Sequence, residues 1–222
     1  MRGVFVTGTG TEVGKTVVAA TIARTALERG ERVGVFKPAV SGLDEGGEPD
    51  YALLRRAAGS AQTDDEVAPY RYGPPVSPHL GAELAGEAID PARLRSVARA
   101  AAGNAEFLVV EGVGGFLVPL TLGYLVRDLA RDLALPVVIA GPPGLGAINH
   151  TLLTVEAVRG IGLDVACVAL TPWPSEPGPV EDSNREAIER LGQVPVQTLG
   201  QLDLADPASW PPLDPAGASP GP

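Results

Sequence analysis

Residues Thr7–Thr16 read TGTGTEVGKT, a glycine-rich run that ends in Gly-Lys-Thr. Backbone N–H groups of such a turn point at phosphate oxygens, and a helix opening at Lys15 adds the partial positive charge of its N-terminus. Lys15 is placed to reach the β- and γ-phosphates of a nucleoside triphosphate, and the Thr16 hydroxyl to serve as a Mg²⁺ ligand. Five residues separate Gly8 from Gly14, one more than in the usual pattern, so this is a variant phosphate loop.

A second cation stands in Lys37-Pro38-Ala39-Val40-Ser41-Gly42, directly after an apolar run. If that run is a strand lying beside the first, Lys37 points into the same crevice as the phosphate loop. Two converging cations suit a transition state with charge on a transferring phosphoryl group and on a neighbouring anion. Taken alone, Lys37 is better read as a surface lysine that precedes a turn, and its loss is expected to leave stability almost unchanged. Glu111 opens Glu111-Gly112-Val113-Gly114-Gly115 at the end of another apolar run. A carboxylate at a strand's end beside a phosphate loop holds Mg²⁺ directly or through water, and the glycines let the chain pass close to a ligand. Asp44, Glu48 and Asp50 compete for a further place at the metal. Asp50 precedes Tyr51-Ala52-Leu53-Leu54, where it would serve equally as a helix N-cap.

These residues need strands and helices to hold them. Continuous apolar runs at Val4–Val6, Val33–Phe36, Phe107–Val110, Val137–Ala140 and Val165–Leu170 read as strands covered on both faces. Between them, helical periodicity spans Lys15–Arg29, Pro91–Ala102, Leu125–Leu133, Asn149–Ile161 and Ser183–Leu191. Strand alternating with helix predicts a single-domain α/β fold, a mostly parallel sheet with helices on both faces. The domain is expected over residues 1–205. Gly42–Pro49 and Pro69–Pro78 read as rim loops, and the tail 206–222, with six prolines, as irregular chain with few apolar anchors.

Composition narrows the function. The chain has 222 residues and a formal charge of −10, which argues against a nucleic-acid partner. Its apolar residues come in short runs, so no membrane-spanning helix is expected. The one cysteine, Cys167, lies inside an apolar run and reads as a buried, inert residue. A reducing, cytoplasmic compartment suits this pattern.

TGTGTEVGKT at Thr7, KPAVSG at Lys37, SPH at Ser77, EGVGG at Glu111 and LGAINHTLLT at Leu145 follow one another in the order and at the spacings of a known family. Over about residues 1–165 the chain resembles the dethiobiotin synthetases. The resemblance implies a Mg²⁺-dependent ligase that takes 7,8-diaminopelargonate, CO2 or bicarbonate, and ATP or another nucleoside triphosphate. The carbamate formed on one amine would attack the γ-phosphorus, and the second amine would close the ureido ring on the resulting carbamic-phosphoric anhydride. It further implies that Glu12, Val13, Gly14, Lys15, Thr16 and Val17 hold the triphosphate. Gly112, Val113 and Gly114 would line the nucleotide site, and Thr16, Asp50 and Glu111 would surround Mg²⁺. Lys37 and Lys15 would be the catalytic cations, with Thr11 and Ser41 at the diamine. Asn149 would reach the substrate from the other subunit of a homodimer.

At the position where many family members carry an Asn that reads adenine, this chain has Thr171-Pro172-Trp173-Pro174. Neither Thr171 nor Pro172 offers a carboxamide's paired donor and acceptor, so loose reading of the base is expected there. Partitioning-type ATPases share the architecture, but they carry an early lysine in the phosphate loop where this chain has Thr9 and Gly10. Cobyrinate-type amide ligases add a glutaminase domain with a nucleophilic cysteine, a context Cys167 lacks.

Overall fold

The computed structural model describes residues 2–215. Six strands form one sheet in the order β2-β3-β1-β6-β7-β8, every neighbouring pair parallel. They are β1 (Gly3–Gly8), β2 (Val33–Phe36), β3 (Phe107–Gly115), β6 (Val137–Gly141), β7 (Val165–Trp173) and β8 (Val196–Gly200). A small antiparallel hairpin, β4 (Pro119–Thr121) with β5 (Tyr124–Leu125), stands apart.

Alternation along each strand splits the core into two layers. Val4, Val6, Val35, Val109, Val138 and Ala169 face α1 (Lys15–Glu28), α2 (Asp50–Ala57) and α3 (Asp64–Val67). Phe5, Phe36, Leu108, Val110, Ile139 and Leu170 pack with α4 (Pro78–Ala85), α5 (Pro91–Gly103), α6 (Val126–Leu133), α7 (Ala147–Arg159) and α8 (Pro179–Gly192). With both faces covered, every residue of β1 and β2 is buried, which is why these runs are apolar throughout. The expected α/β architecture is the one observed.

Several expectations are corrected. The second strand does not lie beside the first, because β3 is inserted between β1 and β2. Glu111 does not end its strand, since β3 runs on to Gly115 through hydrogen bonds to β1. Asp50 is not a helix cap: Pro49 holds that place, and Asp50 is the first residue of α2. Strand β8 and the hairpin were not legible, being short and interrupted by polar residues.

From Asp206 to Pro215 the backbone is irregular apart from a 3-10 turn at Pro207–Ser209. It is not short of anchors: Trp210 and Leu213 are buried in the cluster around α1, and Leu213 N–H donates to Thr25 Oγ1 at 2.9 Å. The remainder of the predicted tail, residues 216–222, lies outside the described residues. Cys167 is fully buried, and burial pushes its thiol up to about 12, as an inert core cysteine requires.

Candidate active site

The chain passes from β1 out to the sheet's edge at β2, returns to β3 beside β1, then crosses to β6 on the other side of β1. The crevice beyond the C-terminal end of β1 lies at this reversal, where open parallel sheets bind ligands. The phosphate loop fills it. Gly8 closes β1, Glu12 adopts a left-handed φ of 59°, and Gly14 caps α1 with φ 84°. Gly14 offers no side chain to the cap, and the first turn of α1 has no acidic residue. The helix's leading N–H groups are thus left to an anion.

Two glycines here admit a side chain only if their neighbours shift. A Cβ on Gly8 would come within 2.7 Å of Val13 Cγ2 and 2.9 Å of Lys15 Cγ. A Cβ on Gly14 would meet Thr171 Cγ2 at 2.5 Å, in a backbone conformation that already disfavours side chains. Thr171, at the end of β7 and buried, therefore braces the loop from beneath with its methyl group, while Pro172 is exposed. Sequence reasoning placed both at the nucleotide but gave no hint of this packing contact.

Lys15, only 7% exposed, folds back over the loop and donates from Nζ to Gly10 O at 2.8 Å. On the α1 side of the sheet, Glu111 accepts from Thr16 Oγ1 at 2.8 Å and from Lys37 Nζ at 2.5 Å, both through Oε1. Lys37 Nζ also donates to Asp50 Oδ2 at 2.6 Å. The expected constellation of Thr16, Lys37, Asp50 and Glu111 is therefore assembled. Asp44 and Glu48 stand elsewhere, Asp44 against Gly73 and Glu48 paired with Arg56 at 2.7 Å.

Burial works against charge on all these groups. At Lys15 it prevails and lowers the pKa, and at Glu111 it prevails and raises it. At Lys37 the flanking Glu111 and Asp50 carboxylates overcome it and hold the ammonium above the ordinary lysine range. At Asp50 the Lys37 charge overcomes it and lowers the carboxyl below its usual range. The expectation that losing Lys37 would hardly affect stability is revised: Lys37 is 3% exposed, and Glu111 beside it is fully buried. Removing one partner of a buried ion pair typically costs about 3–5 kcal/mol.

Glu111 Oε2 is buried with no hydrogen-bond partner. Together with Thr16 Oγ1 and Asp50 it makes a set of oxygen donors of the kind Mg²⁺ takes alongside phosphate and water. Among the described residues no group of three or more His, Cys, Asp or Glu side chains could hold a metal unaided.

The residues expected at the diamine are distributed differently. Gly114, in the left-handed region at φ 58°, lies by Thr11, whose Oγ1 would be 3.6 Å from a Cβ there. Ser41 is half-buried four residues after Lys37. Asn149 is exposed on the first turn of α7, which follows β6 on the opposite side of β1 from Lys37, so one chain does not bring the two together. Leu145, beside it, is 99% exposed. A cavity of about 320 Å³ lies far from this chemistry, near the start of β1, lined by Arg2, Ile22, Arg29, Phe107 and Leu213. Its arginines are engaged with Glu31 and Asp214.

A phosphate loop at the switch point of a parallel sheet, with a lysine and carboxylates closing on the first helical residues, defines a phosphate-loop nucleotide-binding protein. Solved structures agree on the fold. A ParA family ATPase from Chlorobium tepidum superposes with a TM-score of 0.57 at 11% identity, over 93% of this chain and 88% of that one. The MinD cell division ATPase of Pyrococcus furiosus does so with a TM-score of 0.55 at 17% identity, over 90% and 84%. The profile of a family described as an AAA domain matches residues 2–211.

Closer relatives give the family. The ATP-dependent dethiobiotin synthetase BioD of Anaeromyxobacter dehalogenans is 43% identical over 191 residues, 86% of each protein. That of Rhodococcus erythropolis is 42% identical over 199 residues, 88% of this chain and 86% of the relative, and that of Bacillus velezensis 38% over 197. The chain belongs to the ATP-dependent dethiobiotin synthetase family.

Proposed function

We infer that this chain is a dethiobiotin synthetase, and that Lys37 is the residue on which its chemistry turns. The carrying observation is the Lys37 ammonium, buried and charged, bridging Glu111 and Asp50 beside the Thr16 hydroxyl on the first turn of α1. The first amine of 7,8-diaminopelargonate adds to CO2 and loses a proton, giving a carbamate. A carbamate oxygen displaces ADP from the γ-phosphorus of ATP. The second amine then attacks the carbonyl carbon and phosphate leaves, closing the ureido ring. Every step creates or moves negative charge, and none needs a protein nucleophile.

The residues divide this work. The loop N–H groups and Lys15, released from Gly10 O, hold the β- and γ-phosphates. Lys37 balances the carbamate and the phosphoryl group in flight. We propose that Thr16, Asp50 and Glu111 hold Mg²⁺, which when bound neutralises phosphate charge; the unpartnered Glu111 Oε2 supports this. Thr11 and Ser41 are assigned to the diamine. A homodimer with its sites at the interface is supported by the exposed Leu145 and Leu153 flanking Asn149 on α7. Among the described residues no helix is long and apolar enough to cross a membrane, and a cytoplasmic location is proposed.

The test is incubation with the diamine, bicarbonate and each of the four nucleoside triphosphates in turn, scored by mass. A ring-closed product dependent on nucleotide is expected. Phosphate release without that product would sink the reading.

A further inference from the structure

The segment between β6 and α7 is made of residues with little means of holding themselves in place. Pro142 and Pro143 have no backbone N–H, and Gly144 and Gly146 have no side chain. The backbone bonds it makes are from Ala147 N–H to Gly144 O at 3.1 Å and from His150 N–H to Gly146 O at 3.2 Å. Further ties come from about forty residues along the chain. Asn184, buried on α8, donates from Nδ2 to Pro143 O at 2.9 Å and to Gly144 O at 2.8 Å. A carboxamide nitrogen has two hydrogens, and both are used.

Two successive carbonyls aimed at one nitrogen fix the peptide planes on either side of Gly144. They thereby set where the chain enters Gly146, at φ 90°, and the direction of the first turn of α7. Asn149 stands on that turn. Asn184, Leu145, Asn149 and Leu152 line one open depression of about 460 Å³.

We propose that Asn184 is a positioning residue for the diamine, acting by clamping the loop that aims Asn149. This rests on the assignment of Asn149 to the substrate made above. Asn184 touches neither nucleotide loop nor catalytic lysine, so its influence should fall on one substrate and spare the other.

The experiment compares the full-length enzyme with Asn184→Asp, which keeps the shape but turns both donors into acceptors, and with Asn184→Ala. In Asn184→Asp the KM for the diamine should rise on the order of tenfold or more. The KM for ATP and kcat at saturating diamine should stay within about twofold. Amide hydrogen exchange should quicken across residues 144–150 and not across the phosphate loop. Asn184→Ala should shift the same quantities in the same direction by less, and carries the test if the aspartate fails to fold. Equal rises in both KM values, or an unchanged diamine KM despite faster exchange, would overturn the proposal. A wild-type enzyme that closes no ring overturns the substrate assignment instead, and unchanged exchange in both variants then rejects the clamp independently.

Discussion

The two sides of β1 are built on opposite principles. On the β3 side, Thr16, Lys37 and Glu111 are held in a hydrogen-bonded network inside the fold, and the charges are met within one chain. On the β6 side, the loop ahead of α7 leaves Leu145 fully exposed and the first turn of α7 leaves Asn149 exposed, with that loop tied down from behind by Asn184. Charge stabilisation demands dry, preorganised groups, which a single core can supply. Gripping the alkyl chain of a flexible diamine demands a wall, and among the described residues Leu145 and Leu153, on either side of Asn149, are exposed. The first region is closed within this chain, while the second is left open, as half of the proposed interface would be.

The largest effect should come from breaking the finished side. Lys37→Ala should lower kcat by orders of magnitude, at least about 3 kcal/mol of transition-state stabilisation. It should also lower the melting temperature, because Glu111 loses its partner. Steady-state kinetics and thermal melting check both, and activity within about twofold of wild type would refute the role given to Lys37.

Next comes the brace beneath the phosphate loop. Gly14→Ala should weaken nucleotide binding through both its left-handed φ, at about 1–2 kcal/mol, and its clash with Thr171. Adding Thr171→Ser removes the methyl in conflict and should return part of the affinity, while the conformational cost stays. A double-mutant cycle on nucleotide Kd measures that coupling; strictly additive effects would mean Thr171 is no brace.

On the open side, Leu145→Glu should shift sedimentation from dimer towards monomer, with loss of diamine turnover and little change in nucleotide Kd. Mixing Lys37→Ala with Asn149→Ala subunits should restore activity in a fraction of heterodimers. A fully active monomer contradicts the interface outright.

The smallest effect concerns the base. Thr171 contacts the loop through its methyl and Pro172 has no N–H, so kcat/KM for ATP should exceed that for CTP, GTP or UTP by less than about a hundredfold, roughly 2.7 kcal/mol. A greater preference would mean that other groups read adenine.

The sequence by itself determined the strand-and-helix alternation, the phosphate loop and the buried character of Cys167, because each follows from local periodicity or from contiguous residues. It also drew attention to Lys37 and Glu111 as charges next to apolar runs, while their chemical roles came from the family resemblance. Local composition could not choose among Asp44, Glu48 and Asp50, and only the family resemblance pointed to Asp50. That choice depends on α2 starting at Asp50, close enough to Lys37 for a 2.6 Å hydrogen bond, which is a matter of tertiary placement. Strand order was equally invisible: that β3 separates β1 from β2 is what brings Glu111 between Thr16 and Lys37. Thr171 under Gly14 and Asn184 behind the Pro142–Gly146 loop join residues 157 and about 40 positions apart. No periodicity marks such pairs, because what selects them is the distance between side chains after the layers have packed.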